Sequence, residues 1–327
     1  MRCPYCGWDF PPAPGEMLEA AKWLSDRITE ARRLWRIRPP REPGSEASLD
    51  RAALLRMTPP PPGPGPGPFR TVRTAAPDLK LVKGGPFLPV NSLGMEFVPI
   101  EAGQAVMGAP EDDMEAREYE RPAHRIVITK PFGLGRHPVT QEQWERVMGY
   151  NPSLFKGSER PVESVTWEEA CQFIRRLNLG EKGDLHRLPT EAEWEYCARA
   201  GESVLEAEDP RLLAWYSENS NGQTWPVGGK RPNAWGLFDM LGNVWEWVFD
   251  WYGDYPEEAK TDPLGPSEGS DKVIRGGAWG SSKPHCRVFT RSVKSPGERS
   301  PLIGLRLVRD ESLTSQKRFS AFHGWGR

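Results

Sequence analysis

The stretch Asn233-Ala-Trp-Gly-Leu-Phe-Asp239-Met-Leu-Gly242-Asn-Val244-Trp-Glu246-Trp247 sets tryptophans, glycines and two carboxylates into one short run. Toward the N-terminus lie Arg187-Leu-Pro-Thr-Glu-Ala-Glu-Trp-Glu-Tyr196, Val165-Thr-Trp-Glu-Glu-Ala170, Pro161-Val162 and Pro138-Val-Thr-Gln141. Further out come Glu120-Arg-Pro-Ala-His124, Met107-Gly108 and Gly94-Met-Glu-Phe-Val-Pro-Ile100. Toward the C-terminus lie Arg275-Gly276-Gly277, Cys286-Arg287 and Gly304-Leu-Arg-Leu307. Short apolar runs alternate with glycine-rich turns throughout, and tryptophans cluster. Thr166-Trp167-Glu168-Glu169 is a capping box that predicts a helix through Ala170, Phe173, Ile174 and Leu177. Thr190-Glu191-Ala192-Glu193 predicts another through Trp194, Cys197 and Ala198, and Thr140 to Gln143 a third. Strands are expected at 95–100, 125–129, 273–275 and 304–308. Few helices with much loop imply an α+β domain.

Composition sets the outer limits. The chain has 327 residues, five cysteines, 14 tryptophans and a formal net charge of −2. Charged residues make up 27% without a global bias, so no nucleic-acid partner is expected. The 37% hydrophobic content is low for one compact globule. With 33 glycines and 34 prolines, long loops and a structureless segment are expected. No apolar run is long enough for a membrane span, and the start MRCPYCGWDF lacks an apolar signal core. An odd, scattered set of cysteines argues against a disulfide scaffold, and a reducing, cytoplasmic location is expected.

The chain reads as four parts. Residues 1–36 form a head in which Cys3-Pro-Tyr-Cys6-Gly7 is a zinc-knuckle turn. Structural zinc needs four ligands, and no second such pair follows. Two chains could each donate one knuckle, making a homodimer, or the pair stands unmetallated. Met17, Ala21, Leu24, Ile28, Ala31 and Trp35 recur at helical spacing, and Pro39 and Pro40 stop that helix. Residues 37–85 are a linker whose 59–68 portion is proline and glycine, an extended spacer. Residues 86–310 are the α+β domain, and 311–327 a tail. No Walker loop occurs. Glu191, Glu193 and Glu195 are read as structural, Glu193 as the capping partner.

The ordered motifs resemble the formylglycine-generating enzyme (sulfatase-modifying factor) family over about 85–310. That resemblance implies a variant of the C-type lectin fold, with a small twisted antiparallel sheet, two helices and many ordered loops. Tryptophans would plug the core and pin loops. The family's oxidases convert a substrate cysteine to formylglycine with copper and oxygen, using two cysteines after Arg-Gly-Gly. The second position matches Cys286, and the first is Ser281. A hydroxyl is a hard, high-pKa ligand and does not replace a thiolate on Cu(I), so copper is not expected to bind tightly. A family branch with an iron site of pattern His-x3-His-x-Glu is excluded, because no histidine pair here has that spacing. A third branch comprises the variable proteins of diversity-generating retroelements, diversified between Arg-Gly-Gly and the final Gly-Leu-Arg-Leu motif.

The resemblance therefore implies a module that displays the 279–302 surface to a protein or small-molecule ligand. Its candidate residues are Trp279, Gly280, Ser281, Ser282, His285, Phe289, Thr290, Ser292, Ser300 and Leu302. The alternative is a copper- and oxygen-dependent oxidase acting through Cys286 on a protein cysteine. The family's calcium loop matches Asp239, Gly242, Val244 and Glu246, two carboxylates plus backbone carbonyls forming a hard oxygen cage. A second family calcium site would involve Asn219 and Asn221.

Overall fold

The computed structural model describes residues 90–183, 185–201 and 209–310. The chain divides into two compact units between Leu81 and Val82, and the described residues all belong to the second. Cys3, Cys6, the 16–35 helix, the linker and the tail lie outside them.

Three helices stand where their caps are written. They are α1 (Gln141–Met148), α2 (Trp167–Glu181) and α3 (Glu191–Arg199), with a short α4 at Pro210–Leu213. In each of the first three, a threonine hydroxyl accepts the N–H three residues on, and that residue's side chain accepts the threonine N–H. These reciprocal bonds satisfy two orphan donors from local sequence alone. Trp144 stacks on Phe173 at 5.1 Å and locks α1 to α2.

Eleven short strands are described: β1 (Phe97–Ile100), β2 (Gly103–Met107), β3 (His124–Ile128), β4 (Phe132–Gly135), β5 (His186–Arg187) and β6 (Trp245–Trp251). The others are β7 (Lys260–Thr261), β8 (Lys272–Arg275), β9 (Arg291–Lys294), β10 (Ile303–Leu305) and β11 (Val308–Asp310). They form three sheets in the orders β1-β4-β11-β5, β10-β6-β8-β9 and β2-β3-β7. The single antiparallel sheet implied by the resemblance is thus corrected: the described residues form three sheets, and β10/β6 and β3/β7 pair in parallel.

The 304–308 strand is also corrected. It is two strands in two sheets, parted at Arg306. That side chain is fully buried and turns inward, so the backbone cannot continue one ladder. Arg306 Nη2 donates to Glu246 Oε1 at 2.8 Å and to the Phe238 carbonyl at 2.8 Å. Its Nη1 donates to the Gly135 carbonyl at 2.8 Å, and Trp194 Nε1 donates to Glu246 Oε2 at 2.7 Å. One guanidinium thereby joins both larger sheets to α3.

Tryptophans act as pins as well as filler. Trp247 Nε1 donates to the Val165 carbonyl at 3.0 Å, and Trp167 Nε1 to the Val248 carbonyl at 2.9 Å. Both bonds fasten β6 to the entry of α2 while the rings exclude water. Among the described residues, no helix is long and apolar enough to cross a membrane.

Two substitutions separate these layers. Glu246→Gln leaves the Arg306 charge buried without its counter-ion, and a stability loss of about 3–5 kcal/mol is expected in urea unfolding. Thr190→Ala removes only a cap and should cost about 1 kcal/mol. Equal losses would show that the ion pair does not hold the sheets together.

Candidate functional site

The segment between β8 and β10 leaves the sheet through Gly276 and Gly277, at φ +98° and +78°. A Cβ at Gly277 would meet the His285 carbonyl at 2.8 Å and Cys286 Sγ at 3.0 Å. Only glycine permits this exit. The segment is then tied at both ends. Trp279 N donates to the Asn243 carbonyl at 2.9 Å, and its indole N–H reaches the Pro301 carbonyl at 2.9 Å. Phe155 meets the Trp279 ring edge-on at 5.2 Å. Ser220 Oγ donates to the Trp279 carbonyl at 2.8 Å, and Ser217 N to the Ser281 carbonyl at 2.9 Å.

Between these ties, Gly280 and Ser282 are exposed, while Trp279, Ser281, His285, Ser292, Ser300 and Leu302 are half-buried. Phe289 and Thr290 are corrected: at 3% and 0% exposure they belong to the core. The buried Arg275 guanidinium draws the chain inward there, donating to the Phe289 and Val288 carbonyls at 3.0 Å each.

Ser281 closes a turn. Its Oγ accepts from Ala278 N at 3.0 Å, and its own N–H donates to the Ala278 carbonyl at 2.9 Å. Cys286 is 5% exposed, and burial pushes its thiol up to about 12. His285 Nε2 is in hydrogen-bond contact with Arg117 Nη2, and Nδ1 lies 2.8 Å from Ser282 Oγ. A guanidinium only donates, so Nε2 accepts and Nδ1 carries the proton toward Ser282. Burial and then the Arg117 charge lower the imidazole pKa, which keeps the ring neutral. This tautomer cannot take a proton from Ser282, so the pair is an anchor and not a nucleophile–base couple. Arg287 adds a second anchor, donating to Asp113 Oδ2 at 2.9 Å. Arg117 and Asp113 escaped the sequence reading because they lie more than a hundred residues from their partners.

The Asp239–Glu246 loop is equally committed. Asp239 Oδ2 accepts from Gly228 N at 2.7 Å, and burial raises its carboxyl to about 6. Glu246 is taken up by Arg306 and Trp194. Asn219 accepts from Tyr216 N at 2.9 Å and donates to the Ala214 carbonyl at 2.9 Å, while Asn221 holds a left-handed turn at φ 56°. As arranged, the Asp239–Glu246 loop does not fit a calcium cage, because the Arg306 guanidinium occupies the cation's place beside Glu246. Among the described residues, no group of three or more His, Cys, Asp or Glu converges as a metal cluster.

Residues 83–311 match the sulfatase-modifying factor enzyme 1-like domain family. The chain belongs to this family. The Chaperone protein LppX of Paenibacillus barcinonensis is 32% identical over 244 residues, covering 57% of this chain and 82% of that relative. The formylglycine-generating enzyme of Streptomyces coelicolor is 34% identical over 205 residues, covering 54% of this chain and 61% of the enzyme. The chain thus spans about three fifths of that enzyme's length. Among solved structures, Treponema denticola variable protein 1 superposes with a TM-score of 0.61 and 30% identity. That superposition covers 68% of this chain and 97% of the other, consistent with a C-type-lectin-like fold.

Within this family's scaffold the cysteine position is closed. The raised thiol predicts that Cys286 in the native protein alkylates roughly a thousandfold more slowly at neutral pH than in the urea-unfolded chain. Peptide mapping by mass spectrometry after iodoacetamide measures the ratio. Comparable rates in the two states would mean an accessible thiolate.

Proposed function

We propose that this protein is a ligand-binding member of the sulfatase-modifying factor enzyme 1-like family, displaying the 279–302 surface to a protein or small-molecule ligand. One observation carries the reading. Where the oxidase chemistry needs two thiolates, Ser281 spends its hydroxyl closing a turn and Cys286 is a buried, protonated thiol. The surrounding architecture supports it. The segment's conformation is held by backbone bonds, glycines and buried anchors, while Gly280 and Ser282 face solvent. Such a segment tolerates exchange of its exposed residues without loss of its shape. The likeness to a protein named as variable fits a diversified surface. A near-copy of the coding DNA for 278–303, differing at adenines and beside a reverse transcriptase gene, would mark that diversification.

The scaffold-versus-display division has a direct test. Gly280→Asn combined with Lys283→Tyr, both at exposed positions, should leave stability within about 1 kcal/mol of wild type. Phe289→Ala, in the core, should cost about 3–5 kcal/mol. Thermal unfolding reads both. A large loss from the surface pair would make these residues part of the framework.

Copper separates the binding reading from the oxidase reading. Cu(I) is titrated against a thiol-free chelator for wild type, Cys286→Ser and Ser281→Cys. Wild type and Cys286→Ser should behave alike, and Ser281→Cys should gain uptake by restoring a thiolate pair. Tight wild-type uptake that Cys286→Ser abolishes would overturn the binding reading in favour of the oxidase.

A further inference from the structure

A cavity of about 340 Å³ is lined by β2, β3, α3 and β6, by the loops at 253–256 and 263–266, and by Arg291 on β9. Its volume falls at the low end of small-molecule sites, about 300–1,000 Å³. The display surface enters it through Arg291 alone. The mouth is apolar, with Trp251, Pro256, Pro263, Pro266 and Leu264, the last 57% exposed.

The floor is polar and unequal. Arg291 Nη2 is spent on Glu191 Oε2 at 2.7 Å, and its guanidinium lies 4.0 Å from the centre of the Tyr255 ring. The Tyr255 hydroxyl donates to Glu191 Oε1 at 3.0 Å. Glu191 is therefore paired with a cation. Asp250 is not. It is 3% exposed, and Oδ2 accepts the Glu191 backbone N–H at 2.7 Å. Its Oδ1 has no hydrogen-bond partner among the described residues, and no cation forms an ion pair with it there. Gly265, at φ +69°, passes so close that a Cβ would lie 3.1 Å from Oδ1. A carboxyl left half-satisfied in a cavity costs free energy that a donor from outside can recover.

We propose that this cavity binds a small primary amine, its ammonium paired with Asp250 and its apolar body held by the tryptophan, proline and leucine mouth. An ammonium supplies the hydrogen-bond donors and the counter-charge the floor lacks. Anions are disfavoured, because Glu191 and Asp254 line the cavity, Glu193 on α3 adds negative charge from behind it, and Arg291 is already paired. Lys272 on β8 is the cation acting on Asp250, but its Nζ donates to the Phe249 carbonyl at 2.8 Å. Lys260 and His124 complete the titratable lining.

Burial, then the negative charge of Glu191, raises the Asp250 carboxyl to about 8. The Glu191 N–H and Lys272 oppose that rise, and Glu193 adds to it. Below about pH 8 the acid is protonated, so binding an ammonium must expel that proton. Affinity should therefore rise about tenfold per pH unit from 6 toward 8. A carboxylate of ordinary pKa would give a flat profile over that range.

The test uses benzylamine as probe and benzyl alcohol as its neutral counterpart, by calorimetry in phosphate and MOPS buffers on the full chain. Benzylamine should bind saturably at roughly millimolar concentration or below, with close to one proton released at pH 7. Benzyl alcohol should bind at least tenfold more weakly. Asp250→Asn keeps an oxygen to accept the Glu191 N–H but cannot ionise, and should weaken benzylamine at least tenfold and abolish the proton release. Leu264→Trp, at an exposed position, should block the mouth and reduce binding without touching the floor. Should Asp250→Asn fail to fold, the wild-type pH profile and Leu264→Trp decide. No saturable binding, binding unchanged by Asp250→Asn, or an affinity flat between pH 6 and 8 would each overturn the proposal.

Discussion

Everything in this domain hangs from guanidinium groups that have been taken out of water. Arg275, Arg291 and Arg306 are almost wholly buried, and each meets a buried carboxylate. Such pairs are poor sources of net stability, since desolvation offsets the Coulomb attraction. Their value is positional. A planar fork with several donors can hold groups from different elements in one plane, which an apolar side chain cannot do. Arg306 does this for Glu246, the Gly135 carbonyl and the Phe238 carbonyl, and so couples two small sheets that have little core of their own. The sheets' short strands make this coupling necessary, because strands of two to four residues, as all but β6 are in these two sheets, bury too little surface to fix their own mutual geometry.

Helix α3 repeats the device. Glu191, Glu193 and Glu195 look like acid–base groups in the sequence, yet each is committed. Glu195 pairs with Arg199 and Arg275, Glu191 with Arg291, and Glu193 with Arg187 as well as the helix cap. The opposing charges hold Glu195 below the usual carboxylate range despite complete burial. Asp250 stands at the edge of this network. It has the burial and the negative neighbours but no cation bonded to it, so its carboxyl moves the opposite way. The two shifts follow from one rule applied to two neighbourhoods, with and without a guanidinium partner.

What the sequence reveals and conceals follows the range of the forces involved. The three helices are legible because a capping box is settled within four residues. The family motifs are legible because glycine turns and tryptophan pins are local in sequence. Strand β6 is hidden: Trp245–Trp251 is buried along most of its length, so no polar–apolar alternation marks it as a strand. Arg306 is hidden for a different reason. An arginine in an apolar run reads as a strand reaching the surface, and only Glu246, sixty residues away, turns it inward. The burial of Phe289 and Thr290 fails in the same manner, since it depends on Arg275 capturing backbone carbonyls. A lone arginine or glutamate inside an apolar segment was the available signal, and it recurs at Glu195, Glu246, Arg275 and Arg306.

This division of labour explains how one scaffold can carry unrelated surfaces. The 279–302 segment takes its shape from Gly276 and Gly277, from the Trp279 indole bonded to Pro301, and from His285 and Arg287 anchored on the 113–120 loop. None of those restraints involves Gly280, and Ser282 contributes only its hydroxyl, bonded to His285 Nδ1. The exposed positions are therefore free of the stability constraint that governs the core, and selection on them can act on binding alone. A metal site in the same place would be subject to the reverse constraint, because two thiolates must converge within bonding distance and cannot drift independently. With Ser281 drawn into the turn and Cys286 packed beneath Gly277, that coupling has been released.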